Sequence, residues 1–357
     1  MNTDHFSTKH TAIPVHWNGK RYYSLDAWCK HTLGRKCYKV ALNAHMTCPN
    51  RDGSLDTRGC IFCSAGGSGD FAKALDDGQI LTETASLHRT DAPCLIAYFQ
   101  AYTNTYAPVS YLRQIYTLAL AHPAVCGISI ATRPDCLPND VLELLSELKA
   151  TYPDKFIWIE LGLQTIHAST AAFIRRGYAL PCFEAAFRAL KERDIPVIVH
   201  LILGLPGEDM HMLEQSIHYL NELHPFGVKL QLLHILKGTD LHTLYMAQEG
   251  SAVPDSAEAA QPASGSPDSA GAAPPIRPLE CEEYLAALIH CIRQLAPDIV
   301  IHRDTGDGPK ELLAAPLWSL NNRKVLNRLH QEMKQLDALQ GDLVPAYGTY
   351  ELPDSVS

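Results

Sequence analysis

At 357 residues and 46% hydrophobic content, the chain is long enough for one large α/β domain or two smaller ones around a sizeable core. A net charge of -9 argues against a broad cationic nucleic-acid surface, which draws its affinity from many Lys and Arg contacts, but it leaves room for a local basic face. No run of about 18 apolar residues is present and residues 1–12 are polar, so no membrane span or signal peptide is expected, and the expected compartment is the cytoplasm.

Residues 20–36 carry Tyr22, Tyr23, Leu25, Trp28 and Leu33 at helical spacing, which predicts an amphipathic helix ending near Gly34 and capping one end of the fold. From residue 37 to 44 apolar and polar positions alternate, predicting a first strand. Further strands are predicted at 94–99, 126–131, 156–161, 197–203 and 228–233, separated by helices at 109–121, 140–151, 168–176, 182–193 and 209–223. Strands separated by helices of that length indicate βαβ units and a parallel sheet, and six consecutive units indicate an open, barrel-like one. Residues 249–278 are almost entirely Ala, Ser, Pro, Gly, Asp and Glu and are expected to form a disordered surface insertion. A helix through 295, a last strand at 299–302 and a final helix at about 320–338 follow, before a frayed tail from 345. The division expected is thus a helical cap over 1–36, a core over 37–248, the insertion over 249–278, an α/β extension over 279–344 and the tail over 345–357.

Chemistry concentrates in the loop after the first strand. Cys48-Pro49-Asn50-Arg51-Asp52-Gly53 is followed by Gly59-Cys60-Ile61-Phe62-Cys63, a C-x11-C-x2-C spacing. Of the 11 cysteines, Cys94, Cys126 and Cys291 sit singly in apolar runs and are expected to behave as small hydrophobes in a reducing compartment. The 17 histidines show no H-E-x-x-H pattern. Two readings fit the clustered thiols. With His45 as fourth ligand they would make a Cys3His structural zinc site. Alternatively, three thiolates would hold a [4Fe-4S] cluster with one iron open to a small molecule.

The ends of the predicted strands also carry polar and glycine signatures, on the edge where parallel α/β folds place their sites. They run Tyr98-Phe99-Gln100-Ala101-Tyr102-Thr103-Asn104, Thr132-Arg133-Pro134-Asp135, Glu160-Leu161-Gly162-Leu163-Gln164-Thr165 and Leu201-Ile202-Leu203-Gly204-Leu205-Pro206-Gly207. With the cysteine loop and His302-Arg303, these stretches resemble the radical S-adenosylmethionine (SAM) enzymes, in the YhcC/YtqA-like subgroup related to Elp3-type radical SAM domains. The resemblance covers nearly the whole chain except residues 249–278.

That resemblance implies a partial (βα)6 TIM-like barrel with a C-terminal extension. It implies a [4Fe-4S] cluster on Cys48, Cys60 and Cys63 whose unique iron binds SAM, and reductive cleavage of SAM to a 5'-deoxyadenosyl radical. Gln100, Thr103, Asn104, Thr132, Arg133, Glu160, Gln164, Arg176, Gly204 and Pro206 become the expected cofactor contacts. Arg176 is expected to pair with the SAM carboxylate through its fork, and the glycine turn to let backbone approach the adenine. Glu160, amid Trp158, Ile159 and Leu161, needs a partner if buried. His302, Arg303 and Lys310 are the expected substrate-side residues. Arg323, Lys324, Arg328 and Lys334 give the final helix a cationic face, which is more simply a solvated surface. The Elp3 kinship suggests tRNA, a wobble uridine above all, as substrate, with flavodoxin or ferredoxin as reductant. Small-molecule metabolism and a zinc-stabilised binding domain are the alternatives.

Overall fold

The computed structural model describes residues 13–76, 78–87, 93–250, 274–306 and 308–344. Its main sheet is built from β1 (Tyr38–Asn43), β2 (Lys73–Ala74), β3 (Leu95–Phe99), β4 (Val125–Thr132), β5 (Phe156–Gln164), β6 (Val197–Leu203), β7 (Gly227–Leu232) and β9 (Val300–Arg303). The order is β2-β1-β3-β4-β5-β6-β7-β9, and each neighbouring pair is parallel. β8 (Ile235–Leu236) and β10 (Leu313–Ala315) form a small antiparallel pair. The helices are α1 (Leu25–Thr32), α2 (Gln79–Leu87), α3 (Val109–Ala121), α4 (Asn139–Thr151), α5 (Ala168–Phe173), α6 (Leu180–Lys191), α7 (Met210–Leu223), α8 (Asp240–Gly250), α9 (Cys281–Gln294) and α10 (Asn322–Gln335).

This is the α/β, TIM-like partial barrel expected. All six anticipated strands are present, and the last predicted strand joins the sheet beside β7. The alternation on β5 shows how it closes. Ile157, Ile159, Leu161 and Leu163 enter the main core with Leu112 and Tyr116 of α3 and Phe183 and Phe187 of α6. Trp158, Glu160, Gly162 and Gln164, on the other face, point inside the barrel.

The inside is layered. At the N-terminal end Ile96, Trp158 and Ile198 pack on Cys29 and Trp28 of α1, which plugs the barrel. Gly127 admits the Phe156 ring there, since a Cβ would lie 2.3 Å from it. Next comes a polar layer, and then an open cavity at the C-terminal edge.

Three expectations need correction. Residues 20–24 are not helical: Ile301 N–H donates to the Tyr23 carbonyl at 2.8 Å, which holds that segment extended against β9. Ser24 then caps α1, accepting from Ala27 N–H. Residues 251–273 of the expected insertion and the tail from 345 lie outside the described residues. The end of that insertion, however, is packed: Ile276 is 6% exposed and sits in a cluster with Ile202, Leu205 and Ile235. Finally, β2, α2, α8 and the β8–β10 pair were not anticipated, because each is short or lacks a sustained apolar period.

Candidate active site

The chain leaving β1 turns sharply at Cys48, whose carbonyl accepts from Arg51 and Asp52 N–H. Asn50 then anchors the loop. Its Nδ2 donates to the carbonyls of Arg175 at 2.9 Å and Arg176 at 3.3 Å, and lies 3.6 Å from Cys60 Sγ. Gly177 makes this approach possible: its φ is +85°, and a Cβ would stand 2.6 Å from Asn50 Oδ1. Arg51 donates to the carbonyls of Cys63 and Ser64 at 3.0 and 2.6 Å, folding the loop over itself.

Cys48, Cys60 and Cys63 consequently line one cavity of about 240 Å³ at the C-terminal edge of the sheet. The Cys60–Cys63 pair shares a hydrogen bond that pushes Cys60 up, with burial, and brings Cys63 down to about 7; Ser68 and Arg51 assist the latter against burial. His45 is not part of this set. Its exposed ring pairs with Asp76 at 2.8 Å. Among the described residues, it shares no close group of metal donors with these cysteines. This removes the Cys3His arrangement.

The other expected residues divide. Gln100, Thr103, Thr132, Arg133, Glu160, Gln164, Arg176 and Arg303 line the same cavity. Gln164 has left-handed backbone, φ +66°, at the bulge between β5 and β6, and its Oε1 is buried without a hydrogen-bond partner. An orphaned acceptor on a strained residue marks a position set for a ligand. Gln100 donates to the Ser68 carbonyl at 2.7 Å, tying β3 to the cysteine loop. Arg133 makes a two-pronged pair with Asp135 at 2.9 and 2.6 Å.

Arg176 departs from expectation. Nε donates to the Tyr178 carbonyl at 3.0 Å, and Nη1 to those of Leu163 and Thr165 at 2.8 and 2.6 Å. With those nitrogens committed, it cannot offer a carboxylate the two-pronged fork. Tyr178, stacked against both arginines at 4.9 and 4.8 Å, was missed by sequence reasoning.

Five residues lie elsewhere than expected. Asn104 is buried behind the strand ends, donating to the Ala131 carbonyl at 3.0 Å, and does not line the cavity. Gly204 and Pro206 face the 276–279 segment; a Cβ on Gly204 would meet Leu279 at 3.0 Å, so that turn is open to a side chain of the protein and not to the cavity. Lys310 is exposed and outside the cavity. His302 packs edge-on to Trp158 and Phe226, with centroids at 5.2 and 5.5 Å, half-buried against the apolar plug. Both of its ring nitrogens are buried without partners, and burial holds its pKa well below the usual range. Of the substrate-side trio, only Arg303 reaches the cavity.

The floor of the cavity is the polar layer. Glu160, fully buried, accepts from Lys39 Nζ at 2.9 Å, Ser129 Oγ at 2.7 Å and His200 Nε2 at 2.8 Å, and pairs closely with Lys229. Burial alone would raise Glu160, but Lys229, Lys39 and His200 drive it well below the usual carboxylate range. Lys229 donates to Tyr98 OH at 2.8 Å, and both ammoniums lie over the Tyr98 ring. Burial and the two lysines lower His200 to about 4, so it is neutral and donates its Nε2 proton. The partner that Glu160 required is thus supplied from β1 and β7, strands distant in sequence.

Comparisons with known proteins agree with this geometry. The Radical SAM superfamily profile matches residues 57–220, and the Radical_SAM C-terminal domain profile residues 272–335. YtqA of Bacillus subtilis, itself uncharacterized, is 37% identical over 90% of this chain and 92% of its own length. A tRNA uridine(34) acetyltransferase of Methanocaldococcus jannaschii is 30% identical over 34% of this chain and 22% of its own. Among solved structures, Methanocaldococcus infernus Elp3 with an N-terminal deletion superposes with a TM-score of 0.56 at 16% identity, covering 85% of this chain and 64% of that one. The chain belongs to the radical SAM superfamily and is an enzyme of that class, with a [4Fe-4S] cluster and SAM as its cofactors.

Proposed function

We propose that Cys48, Cys60 and Cys63 hold the [4Fe-4S] cluster at the cavity wall, that SAM lies across it against Gln164, and that the enzyme modifies a tRNA nucleoside, the wobble uridine first. The observation that carries the cofactor assignment is the convergence of three thiols and the orphaned Gln164 Oε1 on one cavity. The residues fit the group. The three thiols do not all lie within 4.8 Å of one another, although Cys60 and Cys63 are hydrogen-bonded neighbours, and three thiolates are the ligand set that leaves one iron of a [4Fe-4S] cluster open. When bound, the cofactor pair supplies reductive SAM cleavage and hydrogen abstraction, and such enzymes need a reductant, here a flavodoxin or ferredoxin.

The chain's own residues do the rest. Gln164 Oε1, buried without a partner, would accept from the amino group of SAM. Thr132 would border the ribose, and Arg133, whose Nε and Nη2 are held by Asp135 and whose Nη1 donates to the Arg176 carbonyl at 3.0 Å, would fix that wall of the cavity and supply its positive charge. The plug of Trp158, Ile96 and Ile198 closes the barrel to water from below. Arg303 stands on the open side for substrate.

For tRNA, support comes from the partial match to a tRNA uridine(34) acetyltransferase and from Phe71, which is 54% exposed at the cavity margin where a splayed base could stack. The test is a nucleoside digest of tRNA from a strain lacking the gene beside its parent. A uridine derivative is expected to change in the deletion strain; an unchanged profile turns the assignment to small-molecule metabolism. Gly204 and Pro206 act through packing, and Asn104 through its hydrogen bond to the Ala131 carbonyl.

A further inference from the structure

Cys94 and Cys126, which look like isolated core residues in the sequence, meet Cys37 at the opposite end of the barrel from the active site. The three Sγ atoms all lie within 4.8 Å of one another, and those of Cys37 and Cys94 are 2.9 Å apart. We propose that Cys37, Cys94 and Cys126 form a second, independent metal site that binds one thiophilic ion such as Zn2+ through three thiolates.

Backbone geometry builds this site. Cys37 and Cys94 immediately precede β1 and β3 and are tied by the Tyr38 N–H bond to the Cys94 carbonyl at 2.9 Å. Cys126 belongs to a bulge: Leu95 pairs with Val125 but Ile96 with Gly127, so Cys126 is the extra residue. A bulge re-aims the side chain it carries, and here the Cys126 Sγ sits 3.1 Å from the Leu95 carbonyl oxygen, beside the other two thiols. Tetrahedral zinc with Zn–S of about 2.3 Å places its sulfurs roughly 3.8 Å apart, within the span observed. Arg35 and Lys155 stand within electrostatic reach of Cys94 and Cys126 and would offset the excess negative charge of three thiolates on a divalent ion. Cys94 is buried, whereas Cys37 and Cys126 are only partly so, which gives the ion an entry path and water a fourth position.

A Cys37–Cys94 disulfide is the competing use of these atoms. It would employ two of the three thiols and leave the bulged Cys126 without a role.

The test uses cluster-loaded protein, in which iron occupies the active-site thiols. Anaerobic titration with Cd2+, followed by thiolate-to-metal charge-transfer absorption, is expected to show one tight equivalent. Cys37→Ser and Cys126→Ala should each weaken it at least tenfold while iron content stays unchanged. The same titration curve in wild type and both variants overturns the proposal, as does a Cys37–Cys94 disulfide in the anaerobically isolated protein. Should the variants lose iron as well, alkylation of Cys37 in the wild type decides: Zn2+ must slow it, and an unchanged rate overturns the proposal.

Discussion

Gln164, Glu160 and His302 show three fates of a polar residue in an apolar strand. Gln164 was named from the family resemblance, and it lines the cavity with its Oε1 unpartnered. Its substitution by Ala should weaken SAM binding about tenfold, the worth of one buried hydrogen bond, as read by equilibrium binding to the cluster-loaded protein. Glu160 could be seen to need partners, yet not which ones. Lys39, Ser129, His200 and Lys229 are alternate residues of four other strands, and only the register brings them together. Glu160→Gln removes the counter-charge of Lys39 and of Lys229, which burial already lowers to about 7, and should cost about 3–5 kcal/mol in chemical unfolding. His302 was misread, because a histidine at a strand end resembles a site residue until the plug beside it is visible. With both nitrogens unpartnered, His302→Phe should leave stability equal or about 1 kcal/mol higher and preserve SAM cleavage. A loss of cleavage with intact iron would restore His302 to the site.

The same layer sets a pH dependence. His200 titrates near its usual 6.5 in the unfolded chain but at about 4 in the folded one, so between those values only the unfolded chain takes up the proton. Folding stability should therefore fall on acidification, by about 1–2 kcal/mol from pH 6.5 to pH 5, and the slope should flatten in His200→Gln. Glu160, depressed when folded, adds stability that is present above its unfolded value and is lost only as pH falls through its folded value.

At the scale of elements, the strand–helix alternation was readable because helices of ten or more residues carry a clear period. β2, with two exposed residues, carried none. The cysteine loop depends on a contact that no local pattern reveals, the seat of Asn50 against Arg175–Gly177. Gly177→Ala forces a Cβ into Asn50 at φ +85° and should cost about 1–3 kcal/mol and lower retained iron. The Gly204–Gly207 turn was read as a cofactor approach, but it supports the 274–279 segment instead. A glycine turn after a strand has the same appearance whichever backbone or side chain comes close.

For the whole molecule, the sheet is a half-open barrel plugged by α1 below and open above, with charge confined between. Its two ends carry two thiol sets of different spacing, three spread around the cavity and three drawn together beneath. Among the described residues no helix is long and apolar enough to cross a membrane. Exposed cations on α10 are partly spent, since Arg328 pairs with Glu282 and Glu332 at 2.8 and 3.0 Å, which leaves that face a weak candidate for phosphate contacts.

The proposed assignment gives Cys48, Cys60 and Cys63 alone the catalytic cluster over which SAM is cleaved. Anaerobically reconstituted protein treated with dithionite and SAM should release 5'-deoxyadenosine and carry about four irons per chain, as one [4Fe-4S] cluster requires. Cys60→Ala should lose both, whereas Cys37→Ser should lose neither. A wild-type protein that binds iron but forms no 5'-deoxyadenosine, or a Cys60→Ala protein that still forms it, would overturn that assignment.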